Sequence, residues 1–486
     1  MKRALWLLLS TAVVAAMFVM TVLPVAAQGP DPWALEPMKE TTTVKLMMEA
    51  SPPARTLERF APQIYDQLNI DLIVVTVPFE EKYGLQLADL SSGNQQYDIY
   101  VHWPHFIPDL AAFLIPLKDI APGGIDEVKK DLYWDDVLPG YEWVYQYKGE
   151  IYGTQIDGDV KLMHYRYDMA NDPKEKEAFK AKYGYELDMN NLTWDTMLNV
   201  AEFFTRPDQN MYGIAEPAGF FNYFFFMDRF NGMGGLEFSY DDMTPFPDRE
   251  LALKVLQNGK DCFDKYGPPG AKSFTYSDAN NALWVDGTAF MMPGWPDAWR
   301  MANDAATSKF VGKVAVAIMP GFERDGKVIH RPNMSGGRAM WIGSESKVKE
   351  AAYKVLVFFA NPEVTKYLVS DTTSWLDPFR KSHMVPEHFR TLCRDNFELC
   401  KIYVQVQTDS INAGYPEPQI TGAAQYHDVI ERYNGPVFAG KMEPQEALDN
   451  MVKEFDALTD KLGRDQQIKE WQAFVDGVLK PLNLYP

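Results

Sequence analysis

Between residues 43 and 101 the chain switches repeatedly between two incompatible periodicities, and this limits the fold more than any other feature. TVKLMM (43–48) alternates like a strand. RTLERFAPQIYDQL follows, with Leu57, Phe60, Ile64 and Leu68 spaced by three and four as on one buried helix face. DLIVVTV (71–77) is a β-branched run, FEEKYGLQLADL is helical, and YDIYV (97–101) is a strand again. Strand, helix, strand, helix, strand within about sixty residues implies a parallel sheet with helices on its faces. In such sheets a ligand sits beyond the carboxyl ends of the strands, where the loops gather. The loop after YDIYV reads His102-Trp103-Pro104-His105, so an aromatic falls at that place.

A second α/β region follows. EIYGTQIDGDVKLMHYRYDM (150–169) has two strand-like pieces around Asp157-Gly158-Asp159. In LTWDTMLNVAEFFTRP (192–207), Thr193 is the expected N-cap of a helix that Pro207 ends. FNYFFFMDRF reads as core. The apolar run before MMPGWPDAWR is expected to be a strand that breaks at Pro293-Gly294. Trp295 and Trp299 then fall as neighbours on one helix face, with Pro296 at the first helical position. KVAVAIMPGF (313–322) is a strand stopped by Pro-Gly. MSGGRAMWI and KVKEAAYKVLVFFANPEVTKYL are strand then helix, and 443–480 reads as helical throughout.

The 486 residues, 46% hydrophobic, have ordinary globular composition and length for two or three cores. Lys2 and Arg3, the apolar run Ala4–Leu23 and Val25-Ala26-Ala27 follow the plan of a secretory signal peptide over 1–27, cleaved near Ala27. An uncleaved anchor is the alternative. Acidic residues outnumber basic ones by 67 to 47, which repels phosphate backbones and excludes nucleic acid as a partner. In an oxidising compartment Cys393 and Cys400 are candidates for a short disulfide loop, with Cys262 left buried and unpaired.

Motifs for catalysis are missing: no G-x-S-x-G elbow, no phosphate-cradling glycine loop and no dinucleotide fingerprint. His102 and His105 form the tightest histidine pair, but no third ligand lies nearby in sequence, so neither metal nor cofactor is expected. Asp157 and Asp159 are the one pair that suggests a glycosidase. Two residues apart on one strand, they do not flank a bond as such enzymes require, and a turn is the simpler reading. Tryptophans point elsewhere. A pyranose shows C–H groups on its faces and hydroxyls at its rim, so a sugar site combines flat aromatic platforms with a few polar groups.

The ordered set SSGNQQYDIYVHW, LIPLKDI, YKGEIYGTQIDGDVKLMHYRYDM, LTWDTMLNVAEFFT, WVDGTAFMMPGW, VAIMPGF, SGGRAMWIGSESKVKEAAYKVLVFFANPE, PFRKS and AGKMEPQEALDNM resembles the extracellular solute-binding proteins of ABC transporters. Within them it is most similar to the carbohydrate-binding group that includes maltose-binding protein. The resemblance implies two α/β lobes, hinge-connected around a central ligand cleft. Lobe one would take 28–155 and 333–378, and lobe two 156–332 and 379–486. It places cleft aromatics at Trp103 and Trp295, a polar position at Asp157 or Asp159, and the returning Gly-Gly turn at Gly336-Gly337, with Arg338 as a hydroxyl donor. Trp299, Trp341 and Trp375 are second-rank candidates. It also implies a non-enzymatic, monomeric, periplasmic receptor that hands a sugar, oligosaccharide or polyol to a membrane permease. The alternatives are a polyamine or carboxylate cargo, or a secreted glycoside-active enzyme. Gram-positive members usually carry a lipid-accepting cysteine, and its absence at the cleavage point favours a free periplasmic protein.

Overall fold

β1 (Thr42–Glu49) and β2 (Ile70–Val77) pair in parallel along their whole length. The chain between them, expected as one helix, forms two: α1 (Pro52–Glu58) and α2 (Ala61–Leu68). Pro62 has no N–H to give the Glu58 carbonyl, and its ring would collide with that turn, so the helix stops and restarts. Leu57, Ile64 and Leu68 are buried regardless, because the apolar face survives the break. α3 (Lys82–Ser91) then leads to β3 (Ile99–His102), parallel to β1 on its free side. The computed structural model describes residues 35–219, 222–394 and 396–485, and the expected signal peptide lies outside the described residues. From Pro37 the chain forms one unit.

β4 (Gly153–Gln155) precedes a first connecting segment, 156–161, and β5 (Leu162–Arg166) follows it. Thr193 caps α4 (Trp194–Phe204) as expected, its hydroxyl accepting from the Thr196 N–H at 3.1 Å. β6 (Tyr212–Ile214), α5 (Asn222–Gly232) and β7 (Ala289–Gly294) come next. The break expected at Pro293-Gly294 does not occur. Pairing with β5 runs through Pro293 beside Met163 and Gly294 beside Leu162. Proline is tolerated there because β6 ends opposite Met291, which leaves that edge of β7 unpaired. α6 (Asp297–Asn303) starts later than expected, with Pro296 as its N-cap.

β8 (Val314–Ile318) completes a four-stranded sheet of order β8-β5-β7-β6. β9 (Ala339–Ile342) returns to the first sheet, antiparallel between β3 and β4, and gives the order β2-β1-β3-β9-β4. The sheets are therefore mixed. The strand that runs against its neighbours is in each case the one that follows a connecting segment, β5 after 156–161 and β9 after 333–338. Downstream, α7 (Lys349–Ala360) and α8 (Pro362–Ser370) are separated at Asn361, whose side chain accepts from the Glu363 N–H at 2.8 Å. α9 (Glu398–Ala413) packs on β8, and α10 (Ala423–Phe438) packs on α5 and on α11 (Pro444–Leu462). The helix expected over 443–480 breaks at Gly463, whose φ of +94° separates α11 from α12 (Arg464–Phe474). Cys393 and Cys400 are joined by a disulfide, Cα to Cα 5.7 Å, while Cys262 is buried and free. Among the described residues no helix is long and apolar enough to cross a membrane.

Three segments connect the sheets and touch one another. The Ile156 N–H donates to Arg338 O at 2.9 Å and the Lys161 N–H to Asn333 O at 3.0 Å. The Asp377 N–H reaches the Asp157 carboxylate at 2.7 Å. Gly158 lies so close to the third segment that a β-carbon there would fall 2.3 Å from Pro378 O. Close backbone approach, not catalysis, explains the Asp-Gly-Asp triplet. Gly158→Ala is expected to cost about 1–3 kcal/mol by overpacking, read as a lower denaturant midpoint with an unchanged slope.

Candidate functional site

The two sheets deliver their aromatic ends to one place. β3 runs directly into Trp103 and β7 into Trp295. Phe79 meets Trp103 edge-on at 5.4 Å, and the Lys82 ammonium sits 4.6 Å over the indole. Trp295 meets Tyr276 at 5.1 Å, and the Lys161 ammonium lies 3.4 Å from its ring centroid. Phe224 of α5 touches both, 5.8 Å from Trp103 and 5.7 Å from Trp295. Each tryptophan keeps 9% exposure, so the rings line a nearly closed cleft wedged by Phe224. FNYFFFMDRF reads as core in sequence, and its described part, from Asn222 on, is buried on all sides of α5. One of those sides is the cleft, a role that an all-round apolar helix does not reveal.

Beneath the rings lies a buried ion network. Arg338 donates from Nε to Glu49 at 2.7 Å and from Nη1 to Asp157 at 2.5 Å, and Lys82 reaches the other Glu49 oxygen at 2.8 Å. Burial would raise the Glu49 carboxyl, but Lys82 and Arg338 outweigh it and hold it down at about 2. The Asp157 carboxyl is raised by burial against the pull of Arg338. Asp159 is pushed well up by burial and by neighbouring Asp157, and its nearest hydroxyl is Ser335 at 3.4 Å. Gly337 has φ +70°, and a β-carbon there would meet Asp157 O at 2.4 Å, so only glycine lets the returning segment pass. Arg338, expected as a hydroxyl donor, has two of its nitrogens on carboxylates. Asp157 has one oxygen on Arg338 and the other on the Asp377 N–H. Their geometry makes them struts of the connection.

Buried polar atoms without hydrogen bonds also gather here, and two of their side chains, Lys161 and Asp228, are ones the sequence did not single out. Lys161 Nζ is buried 3.9 Å from Asp228 Oδ2, and neither atom makes a hydrogen bond among the described residues. Trp103 Nε1 and His102 Nε2 are in the same condition. Burial lowers the Lys161 ammonium to about 8 and raises the Asp228 carboxyl to about 7. Lys161 and Asp228 are 67 positions apart in the chain, so no local motif announces the pair.

The second-rank tryptophans part company with the cleft. Trp299 is fully buried, stacked on Tyr403 at 4.2 Å, with its indole N–H donating to Val314 O at 3.0 Å. Its expected partnership with Trp295 fails because Trp295 precedes the Pro296 cap and is not on the helix. Trp341 is fully buried on β9 inside the first sheet. Trp375 is half-buried on the third connecting segment, with φ +55°. A roomier groove of about 590 Å³ lies elsewhere, lined by Trp143, Tyr147, Gln419 and Phe474. Size does not make it the better candidate, since the Trp103–Trp295 cleft lies where both sheets gather their strand-end loops.

Two α/β halves joined by three touching segments, with an aromatic cleft at their strand ends, define a two-lobed solute-binding protein. The chain belongs to the bacterial extracellular solute-binding proteins, whose family pattern matches residues 66–384. In sequence it is similar to a maltotriose-binding protein of Pyrococcus abyssi, 24% identical over 304 residues, which cover 61% of this chain and 58% of the relative. It is also similar to a probable amino-acid ABC transporter periplasmic-binding protein of Sinorhizobium fredii, 22% identical over 60% of this chain and 62% of the relative. The chain thus spans about three fifths of the length of these curated relatives. In fold it is similar to an ABC transporter solute-binding protein of Agrobacterium radiobacter in complex with ribitol. The TM-score is 0.71 at 22% identity, over 87% of this chain and 100% of the other. A maltose-bound protein of T. maritima gives 0.67 at 21% identity, over 86% and 100%.

Glu49 is the acid-sensitive member of the network. With its folded-state pKa depressed, its contribution to stability is complete above the ordinary value of 4.5 and is lost as pH falls toward about 2. Glu49→Gln strands Lys82 and Arg338, and is expected to cost about 3–5 kcal/mol at pH 7. Urea unfolding followed by tryptophan fluorescence should show the gap between variant and parent narrowing from pH 7 to pH 3.

Proposed function

We propose that this chain is the solute-capturing component of an ABC importer, taking a sugar, oligosaccharide or polyol into the cleft between two lobes and delivering it to permease subunits in the inner membrane. One observation carries the reading: Trp103 and Trp295, each from a different sheet, converge within 6 Å of Phe224 among buried polar atoms that make no hydrogen bond among the described residues. Such a cleft matches a guest with C–H faces and a hydroxyl rim. The maltotriose named for one relative and the ribitol and maltose named for two structures favour that cargo.

In this reading lobe one comprises 28–155 and 333–378, and lobe two 156–332 and 379–486. The receptor works as a monomer in the periplasm after cleavage near Ala27. Entry of a guest swings Phe224 aside and lets a sugar face replace Lys161 over the Trp295 indole, while Lys82 stays on Glu49. Lys161, Asp228 and the Trp103 indole N–H then bond the hydroxyls. Asp159, 7% exposed at the cleft floor, is the carboxylate best placed to join them.

A thermal-shift screen of the mature protein against sugars, polyols, amino acids and polyamines is expected to raise the melting temperature with a sugar or polyol. Trp103→Ala and Trp295→Ala should each weaken that ligand by about tenfold or more, corresponding to roughly 1.4 kcal/mol, with folding intact by circular dichroism. Silence from every sugar and polyol alongside a shift from another class would overturn the cargo and leave the receptor standing.

A further inference from the structure

Behind Trp103 the structure gathers two imidazoles and a carboxylate that the sugar reading does not use. His105 lies on the 3-10 turn after β3, Glu417 just beyond the short strand Tyr415–Pro416, and His427 in α10. His105 Nδ1 is 3.5 Å and His427 Nε2 3.0 Å from the same oxygen, Glu417 Oε2, and all three donor atoms fall within 4.8 Å of one another. Donors around a tetrahedral ion with bonds of about 2.0–2.2 Å sit about 3.3 Å apart. Loss of a proton from between such groups would leave room for a cation with little movement.

Two further observations separate this cluster from ordinary packing. His105 is wholly buried, and neither of its ring nitrogens makes a hydrogen bond among the described residues, a costly condition for a polar side chain. The ligand set is also supported from outside. The Asn333 amide donates to the other Glu417 oxygen at 3.2 Å, and Tyr223 stacks on His427 at 3.4 Å, which together fix the carboxylate and the ring as metal-ligand shells do. Access is kept through His427, whose side chain retains 14% exposure. Lys82 and Lys161 oppose a dication from longer range.

We propose that His105, Glu417 and His427 form a binding site for a divalent transition metal of zinc type, which joins the turn after β3 to the segment carrying α10. Two histidines and one carboxylate suit zinc and leave at least one position for water. His105 follows the first sheet, whereas Glu417 and His427 belong to the segment whose helix packs on α5, so the ion would fasten the cleft in its closed arrangement. His102 stands outside this cluster, because its Nδ1 accepts from the Trp103 backbone N–H at 2.8 Å.

The test is an isothermal titration of the chelator-treated mature protein with zinc chloride in the absence of sugar, so its result is independent of the cargo. One zinc per chain is expected. His105→Ala and the more exposed His427→Gln should each weaken binding by about 100-fold, at the upper end of what shell residues contribute, while His388→Ala leaves it unchanged. Cobalt in place of zinc should give a visible ligand-field band with the parent protein and lose it in His427→Gln, which keeps the test alive if His105→Ala does not fold. No uptake by the parent, or uptake that survives both substitutions, would overturn the proposal.

Discussion

Arg338 is a charge taken almost wholly out of water, and the joining of the two sheets depends on what surrounds it. Its guanidinium binds Glu49 at the end of β1 and Asp157 in the first connecting segment, and Asp157 passes the link to the backbone of Asp377 in the third. A desolvated guanidinium is stable only with its partners in good geometry, so displacement of any one segment exposes the whole desolvation cost. Arg300 repeats the device from α6, bonding the Asp377 carboxylate at 2.9 Å and Leu376 O at 2.8 Å. Gly158 and Gly337 belong to the same construction, since larger residues would push apart the backbones that bring these charges together.

Away from this centre, the strand ends carry the aromatic pair. Trp103 and Trp295 are rooted there, and each has a lysine over its ring. Cation–aromatic contacts of this kind contribute about 0.5–2 kcal/mol, which is similar in size to aromatic stacking. Lys82 is held in place by Glu49 at 2.8 Å, whereas Lys161, 3.9 Å from Asp228, is the occupant that a guest would displace in the proposed reading.

The parts legible in the sequence are those that local pattern encodes. Alternation and β-branching located β1, β2 and β3, and the strand-end rule pointed to the place of Trp103, while the cleft position of Trp295 came with the family resemblance. Helix breaks at Pro62, Asn361 and Gly463 escaped because apolar spacing continues across them. Periodicity registers which side a residue faces, not whether its N–H has an acceptor. Tryptophan identity alone misled at Trp299 and Trp341, which bury their rings on the core side of α6 and β9. The ion network was illegible for a different reason. Arg338 meets Glu49 across 289 positions and Asp157 across 181, so its role as a strut and not a free donor is fixed only when distant segments meet.

The observed arrangement contains its own attractions, and under the proposed function these bear on how a receptor would tell loaded from empty. The Gly422 N–H donates to Asp109 at 2.9 Å, and the Gln419 amide reaches Trp143 O at 3.3 Å, so the segment before α10 already grips the first sheet's loops. Bonds of this type are worth about 0.5–1.5 kcal/mol each, enough by themselves to bias the halves toward closure. A receptor that closed equally well without cargo would gain nothing from binding it, because a ligand shifts an equilibrium only by its differential affinity. Lys161 Nζ, Asp228 Oδ2 and the Trp103 indole N–H act in the opposite sense: buried without hydrogen bonds among the described residues, each penalises empty closure by about 1–3 kcal/mol, less where the Lys161–Asp228 attraction at 3.9 Å offsets it. In the proposed reading, a polyhydroxy guest would remove that penalty group by group. Discrimination would then arise from the cost of closing on nothing, and the same atoms that set the cost would select the chemistry of what is captured.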